Sequence, residues 1–83
     1  MLYYANGGPG PATKLLRVDA PEGGDWWAWM CAPAERWTVR AGWSSDDDAQ
    51  AMIKMSGEFG LIDESEVLDV QAQLLENHMR CRA

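Results

Sequence analysis

A glycine-rich segment near the N-terminus has the composition of a phosphate-binding loop. Residues 6–11 hold three glycines and two prolines, and Lys14 follows them. A Walker A loop needs glycine directly before Lys-Ser/Thr and a helix after it. Here Ala12-Thr13 precede Lys14, and an alternating, strand-like segment follows. The segment therefore indicates a mobile loop between strands, not a nucleotide site.

Two further clusters carry metal-ligating side chains. Consecutive helical residues point in different directions, so Asp46-Asp47-Asp48 cannot converge on one ion. His78 with Cys81 is half of a zinc site without a second half. Cys31 is expected to be a packed thiol, and its spacing from Cys81 does not require a disulfide.

The chain contains a single histidine, and no serine or cysteine has an evident base beside it. A general acid or base needs a second group that holds it in a concave pocket. We therefore predict that the protein is not an enzyme and that it binds no metal ion or cofactor.

Charge is distributed unevenly along the sequence. Residues 1–43 are neutral overall, whereas residues 44–83 carry the whole net charge of −6. Such a chain repels nucleic acid phosphates and favours basic protein surfaces. We predict no direct binding of nucleic acid, and a partner protein with a basic surface.

Hydrophobic residues make up 47% of the sequence, which excludes a disordered chain. No apolar run approaches the roughly 20 residues that span a bilayer. The opening residues have no basic flank followed by an apolar stretch of signal-peptide length. A cytoplasmic protein without membrane association is expected.

The length and patterning predict one domain over residues 1–83, with a β-rich, tryptophan-rich part (1–43) and an acidic, helical part (44–83). Alternation predicts strands over residues 2–5, 14–20, 26–32 and 36–43. A turn at Ala32-Pro33-Ala34-Glu35 joins the last two strands into a hairpin.

Two helices are expected after this hairpin. Ser44-Ser45 followed by three aspartates reads as an N-cap, so the first helix begins near Ser45, and Gly57 and Gly60 end it. Asp63 caps the second helix, with Glu66 completing a capping box and Ile62 packing on Val67. The second helix has apolar residues in a stripe that suits one sheet face: Val67, Leu68, Val70, Leu74, Leu75 and Met79.

These elements predict an α+β fold, in which a three- or four-stranded antiparallel sheet carries two C-terminal α-helices packed on one face. Two helices are too few to cover both faces of such a sheet. One face of the hairpin is therefore expected to stay open.

Five tryptophans lie within residues 26–43, on both faces of the predicted hairpin: Trp26, Trp27, Trp29, Trp37 and Trp43. Trp37 and Trp43 are assigned to the core. Adjacent strand residues face oppositely, so Trp26 or Trp27 must point away from the helices. Beside arginines, such a ring forms a surface typical of binding hot spots. We predict a partner-binding surface of Trp26, Trp27, Met30, Arg36 and Arg40, with electrostatic steering by Asp46, Asp47 and Asp48.

Three alternatives remain open at the level of sequence, and a small enzyme or metal protein is the least favoured of them. Most acidic residues in the second half lie where helix N-termini favour them, but they stay exposed and could also imitate nucleic acid phosphates. The aromatic face could instead be closed by an identical copy, which would make the protein a self-assembling structural or accessory subunit.

The overall plan resembles the small acidic proteins that phages and mobile elements encode to disable host machinery, such as anti-CRISPR proteins. The points of resemblance are the tiny domain, the tryptophan-rich segment Asp25 to Trp43 that leads into the helix Ser44 to Gly57, and acidic helices without catalytic residues. The resemblance implies a stoichiometric inhibitor of a host protein that handles nucleic acid.

Overall fold

A computed structural model describes residues 1–6 and 12–82, and in this part of the chain five strands form one antiparallel sheet. The strand order is β4-β3-β2-β1-β5. The strands are β1 (Leu2–Asn6), β2 (Leu15–Val18), β3 (Ala34–Thr38), β4 (Gly42–Ser45) and β5 (Phe59–Ile62). The helices are α1 (Trp26–Cys31), α2 (Ala49–Ser56) and α3 (Glu64–Arg82). The α+β class is confirmed. Of the loop predicted at residues 6–11, Asn6 belongs to β1 and residues 7–11 lie outside the described residues.

The helices cover opposite faces of the sheet. Leu15 and Leu16 are adjacent in β2, are both fully buried and point to opposite sides. Leu15 packs in a cluster with Val67 of α3, and Leu16 packs in a second cluster with Ala49 of α2. The prediction that both C-terminal helices pack on one face is therefore wrong: α2 and α3 lie on opposite faces of the sheet. The physical reason is β5, which lies between them in sequence, pairs with β1 at the sheet edge and takes the chain to the other side.

The segment predicted as the third strand is the helix α1. Asp25 caps it, because its Oδ1 accepts a hydrogen bond from the Ala28 N–H at 2.7 Å. Both faces of this segment are apolar, so the sequence pattern could not distinguish a strand from a short helix. The hairpin turn predicted at residues 32–35 is also wrong, since β3 already begins at Ala34.

The hairpin turn lies further along the chain than predicted, within residues 36–43, which were expected to form a single strand. Residues 39–41 turn the chain between β3 and β4, and the Ala41 N–H donates to Thr38 Oγ1 at 3.1 Å. Gly42 follows with a φ of 67°, a conformation that favours glycine. Trp37 and Trp43 thus face each other across the hairpin, on the face covered by α3.

The predicted ends of the two C-terminal helices are correct in part. Ser45 ends β4, and α2 begins only at Ala49, so the predicted cap at Ser44-Ser45 is wrong. Gly57 ends α2 in the left-handed conformation, as predicted, but Gly60 belongs to β5. The start of α3 is confirmed directly after Asp63.

Candidate protein-binding surface

The short helix α1 is held on the sheet by Trp29. The indole Nε1 of Trp29 donates a hydrogen bond to the hydroxyl oxygen of Tyr4 in β1, at 3.0 Å. The two rings meet edge to face, with centroids 6.2 Å apart. Trp29 is half-buried against the cluster that contains Leu16. This tryptophan therefore has a structural role, which leaves its neighbours free to point outward.

Gln50 of α2 fixes the other end of α1. Its side chain is the one polar group among the buried residues in the described part of the chain, at 5% exposure. Its Nε2 donates to the Ala32 carbonyl oxygen at 2.7 Å and lies 3.4 Å from that of Trp29. Carbonyls at a helix C-terminus need such partners. Gln50 was missed in the sequence analysis. A polar amide directly after Ala49, in the apolar stripe of α2, was the one sign that this side chain could be buried and hydrogen-bonded.

Trp26 and Trp27 lie side by side on the outer surface of α1. They are 56% and 66% exposed, and their ring centroids are 5.9 Å apart. The ammonium group of Lys54 in α2 lies 4.3 Å from the centroid of the Trp26 ring, within cation–π range. We call Trp26, Trp27 and Lys54 the tryptophan surface. The exposure expected for one of these indoles is found for both, on a helix and not on a strand.

The arginines predicted to join this surface are placed elsewhere. Arg36 lies in β3 opposite Leu16, hence on the sheet face that α1 and α2 cover. Its Nε is 3.9 Å from Asp46 Oδ2, which directs the guanidinium toward the connection between β4 and α2. Arg40 is exposed in the turn between β3 and β4, and Met30 is half-buried in α1. Trp26 and Trp27 are thus the predicted site residues that the structure brings into direct ring contact.

The three aspartates divide into one structural and two exposed side chains. Asp46 is half-buried, and its Oδ1 accepts a hydrogen bond from the Asp48 N–H at 3.0 Å. Asp47 and Asp48 are exposed at the start of α2. Within residues 1–6 and 12–82, no group of three His, Cys, Asp or Glu side chains is placed to hold a metal ion.

The remaining tryptophans belong to the face covered by α3. Trp37 and Trp43 pack against the cluster around Leu15. The guanidinium carbon of Arg17 lies 4.1 Å from the Trp43 ring centroid, and Arg17 also pairs with Glu35 at 2.6 Å. The assignment of Trp37 and Trp43 to the core is confirmed in that both are partly buried against it.

A cleft of about 420 Å³ separates the hairpin tip from the C-terminal turns of α3. Its lining includes Arg40, His78 and Cys81, without a carboxylate among the described lining residues. Cys31 and Cys81 are both exposed free thiols, so the packed thiol expected at Cys31 is wrong, because α1 turns that residue outward. The cleft thus offers a histidine and a thiol but no acid to orient the histidine as a general base.

In comparisons with known proteins, no family model, curated protein or solved structure matches this chain. In the described part of the chain, none of the helices combines the length and the apolar character needed to cross a membrane. The exposed side chains are the ground for a functional proposal, and the tryptophan surface is the most unusual group among them.

Proposed function

We propose that this protein is a noncatalytic protein-binding module whose main contact is the tryptophan surface. The observation that carries the proposal is the exposure of Trp26 and Trp27 on α1, a helix in which no residue is buried. Tryptophan is among the residues most enriched at binding hot spots, since one indole buries a large apolar area on contact.

The attachment of α1 supports this proposal. Trp29 and Gln50 tie the helix to the sheet and to α2 by side-chain hydrogen bonds. A surface that is ordered before binding loses less conformational entropy when the partner arrives. The two indoles are therefore held ready to contact a partner without refolding of the helix.

The charge of the chain favours a basic partner. Asp47 and Asp48 are exposed at the start of α2, the helix that also carries Lys54, and the whole chain has a net charge of −6. Charges of this kind raise the association rate with a basic protein surface. We propose that Met30, which α1 also carries, lies at the rim of the contact and that the exposed Asp47 and Asp48 steer the encounter.

In its finer form, the proposal is a phage or mobile-element inhibitor, similar to anti-CRISPR proteins, that binds a host protein with a nucleic-acid-binding surface. Such a protein acts by occupancy and needs neither a cofactor nor a catalytic residue. Exposed carboxylates near the binding helix support this form, because they match the charge of the nucleic acid that the partner would otherwise hold.

A matched pair of substitutions tests the proposal. Trp27→Ala removes an indole that is 66% exposed, and Leu61→Ala removes a side chain in β5 that is 60% exposed. The wild-type protein and both variants serve as bait in host lysate, followed by quantitative mass spectrometry and titration of the recovered partner. We expect Trp27→Ala to weaken binding by about tenfold or more, because hot-spot truncations have effects of that size.

The control for this experiment is the free energy of unfolding. Trp27 is not buried, so we expect its replacement to change stability by less than about 0.5 kcal/mol in urea unfolding. Equal recovery of the partner by wild type and Trp27→Ala would contradict the proposed site. A wild-type protein that recovers nothing beyond a column without bait would contradict the binding function itself.

A further inference from the structure

The helix α3 carries two apolar stripes, and the sheet uses only one of them. Val67, Val70 and Leu74 pack into the cluster around Leu15. On the other side of the helix, Leu68, Leu75 and Met79 are 74%, 45% and 63% exposed. Ala72 lies between them and is exposed as well. We call Leu68, Ala72, Leu75 and Met79 the outer stripe.

The spacing of the outer stripe is that of a coiled-coil contact. Successive members are separated by four, three and four residues, as successive core positions of a heptad are. The stripe covers three turns and is about 16 Å long at 1.5 Å per residue. A flat sheet or a loop would not require this periodicity, so the outer stripe is best matched by another helix.

The charge along α3 is asymmetric. Its first two turns contain only acids among their charged residues, namely Glu64, Glu66 and Asp69. Near the other end, Arg80 borders the outer stripe and pairs with Glu76 at 2.7 Å. A second α3 in antiparallel orientation brings this arginine to the acidic turns of the first helix. A parallel copy would place the acidic turns beside each other.

We propose that the outer stripe is the interface of a homodimer, in which α3 packs antiparallel against α3 of a second copy. A twofold axis near the midpoint of the stripe sets Leu68 against Met79 of the second copy and Ala72 against Leu75. The small side chain of Ala72 lets the two helices approach closely at the centre. In this orientation Leu68 and Met79 pack against each other at both ends of the contact, and Ala72 packs against Leu75 between them.

The dimer leaves the tryptophan surface open, because α1 and α3 lie on opposite faces of the sheet. Each dimer then exposes two such surfaces, one on each outer side. The inference does not rest on the proposed function, since self-association can be measured without any partner. If both hold, the protein binds bivalently and gains avidity on partners that are themselves repeated.

Sedimentation equilibrium of the full chain over a range of concentrations tests the dimer. A three-turn contact is smaller than a standard interface, so we expect reversible association with a dissociation constant on the order of 10–100 µM. The limiting mass should be twice the 9.2 kDa of one chain. The mass of a single chain at all protein concentrations up to about 500 µM, five times the largest expected dissociation constant, would overturn the proposal.

Two exposed helical methionines provide a matched comparison. Met79→Glu alters the outer stripe, whereas Met55→Glu alters α2, where the side chain is 86% exposed. We expect Met79→Glu to weaken association by about 30-fold, because each dimer buries the substituted side chain twice. Met55→Glu should leave the constant unchanged. Equal effects of the two substitutions would show that association is not through α3 and would overturn the proposal.

Charge exchange tests the orientation. Arg80→Glu sets an acid against the acidic turns of the second copy, and we expect about fivefold weaker association at low salt. Adding Asp69→Lys should restore much of the loss in an antiparallel pair. In a parallel pair, Arg80→Glu replaces one like-charge contact with another and leaves the constant unchanged. That result would overturn the antiparallel arrangement.

Discussion

The two faces of the sheet are covered in different ways. On one face, the 19-residue helix α3 begins at a capping signal and packs through a repeating stripe. On the other face, two short helices of six and eight residues share the same task. Isolated helices shorter than about 12–15 residues are marginal in water, so α1 depends on tertiary contacts in a way that α3 does not.

This difference shows where binding surfaces can be placed on a small protein. The short helix α1 buries no residue of its own and is held through Trp29 and Gln50. Its tryptophans Trp26 and Trp27 remain exposed. The long helix α3 has more apolar surface than one sheet face can cover, and the excess remains as the outer stripe.

The largest expected effect comes from opening each core cluster separately. Leu15→Ala removes the centre of the face under α3, and Leu16→Ala removes that of the face under α1 and α2. Each truncation should lower the free energy of unfolding by about 2–5 kcal/mol, because a fully buried leucine leaves a cavity. Urea unfolding measures this loss. Hydrogen exchange should show faster opening of α3 in Leu15→Ala and of α2 in Leu16→Ala, and the same pattern in both would contradict the separation of the two faces.

A smaller effect is expected at the link between α1 and α2. Gln50→Ala leaves the Ala32 carbonyl without its side-chain donor and should cost about 1–3 kcal/mol. Because the loss is local to this face, amides of α1 should exchange faster while those of α3 stay protected. Gln50→Glu is the control, since it retains the shape but cannot donate in its ionised form. If Gln50→Ala unfolds with unchanged stability, the tertiary support of α1 is not what we describe.

The smallest effect tests the local signal of α1 alone. Asp25→Ala removes the carboxylate that accepts from the Ala28 N–H and should cost about 1 kcal/mol. Asp25→Asn, which keeps an accepting oxygen, should cost less than half as much by the same reasoning. Urea unfolding of the two variants measures both values. A loss in Asp25→Ala as large as that in Leu16→Ala would mean that α1 is stabilised mainly by its cap and not by tertiary contacts.

The strand β2 and the first residue of α3 could be predicted because their sequence signals are local. Leu16 and Val18 alternate with Leu15 and Arg17, which predicted both β2 and its two faces. The pair Asp63 and Glu66 predicted that α3 begins directly after Asp63, and the helix does begin there. Such a signal is local, since a cap acts on the amides next to it.

The errors share a physical cause. The strand β5 is four residues long and contains Gly60, so nothing in its pattern separates it from the end of a helix. Trp26 to Cys31 is apolar on all sides, and apart from the Asp25 cap the side-chain hydrogen bonds that hold it as a helix come from Gln50 and Tyr4, which are distant in sequence. The predicted surface was therefore correct about exposed tryptophans but wrong about the element that presents them.

Local signals in the sequence were sufficient to predict the α+β class, the alternation of β2, the left-handed end of α2 at Gly57 and the beginning of α3. These features follow from side chains that act on their own backbone or on neighbours a few residues away. Three outcomes could be seen only in the folded chain: which face each helix covers, that residues 26–31 are helical, and which indoles are exposed. Those outcomes depend on pairing between β1 and β5 and on hydrogen bonds across the sheet, which no local pattern encodes.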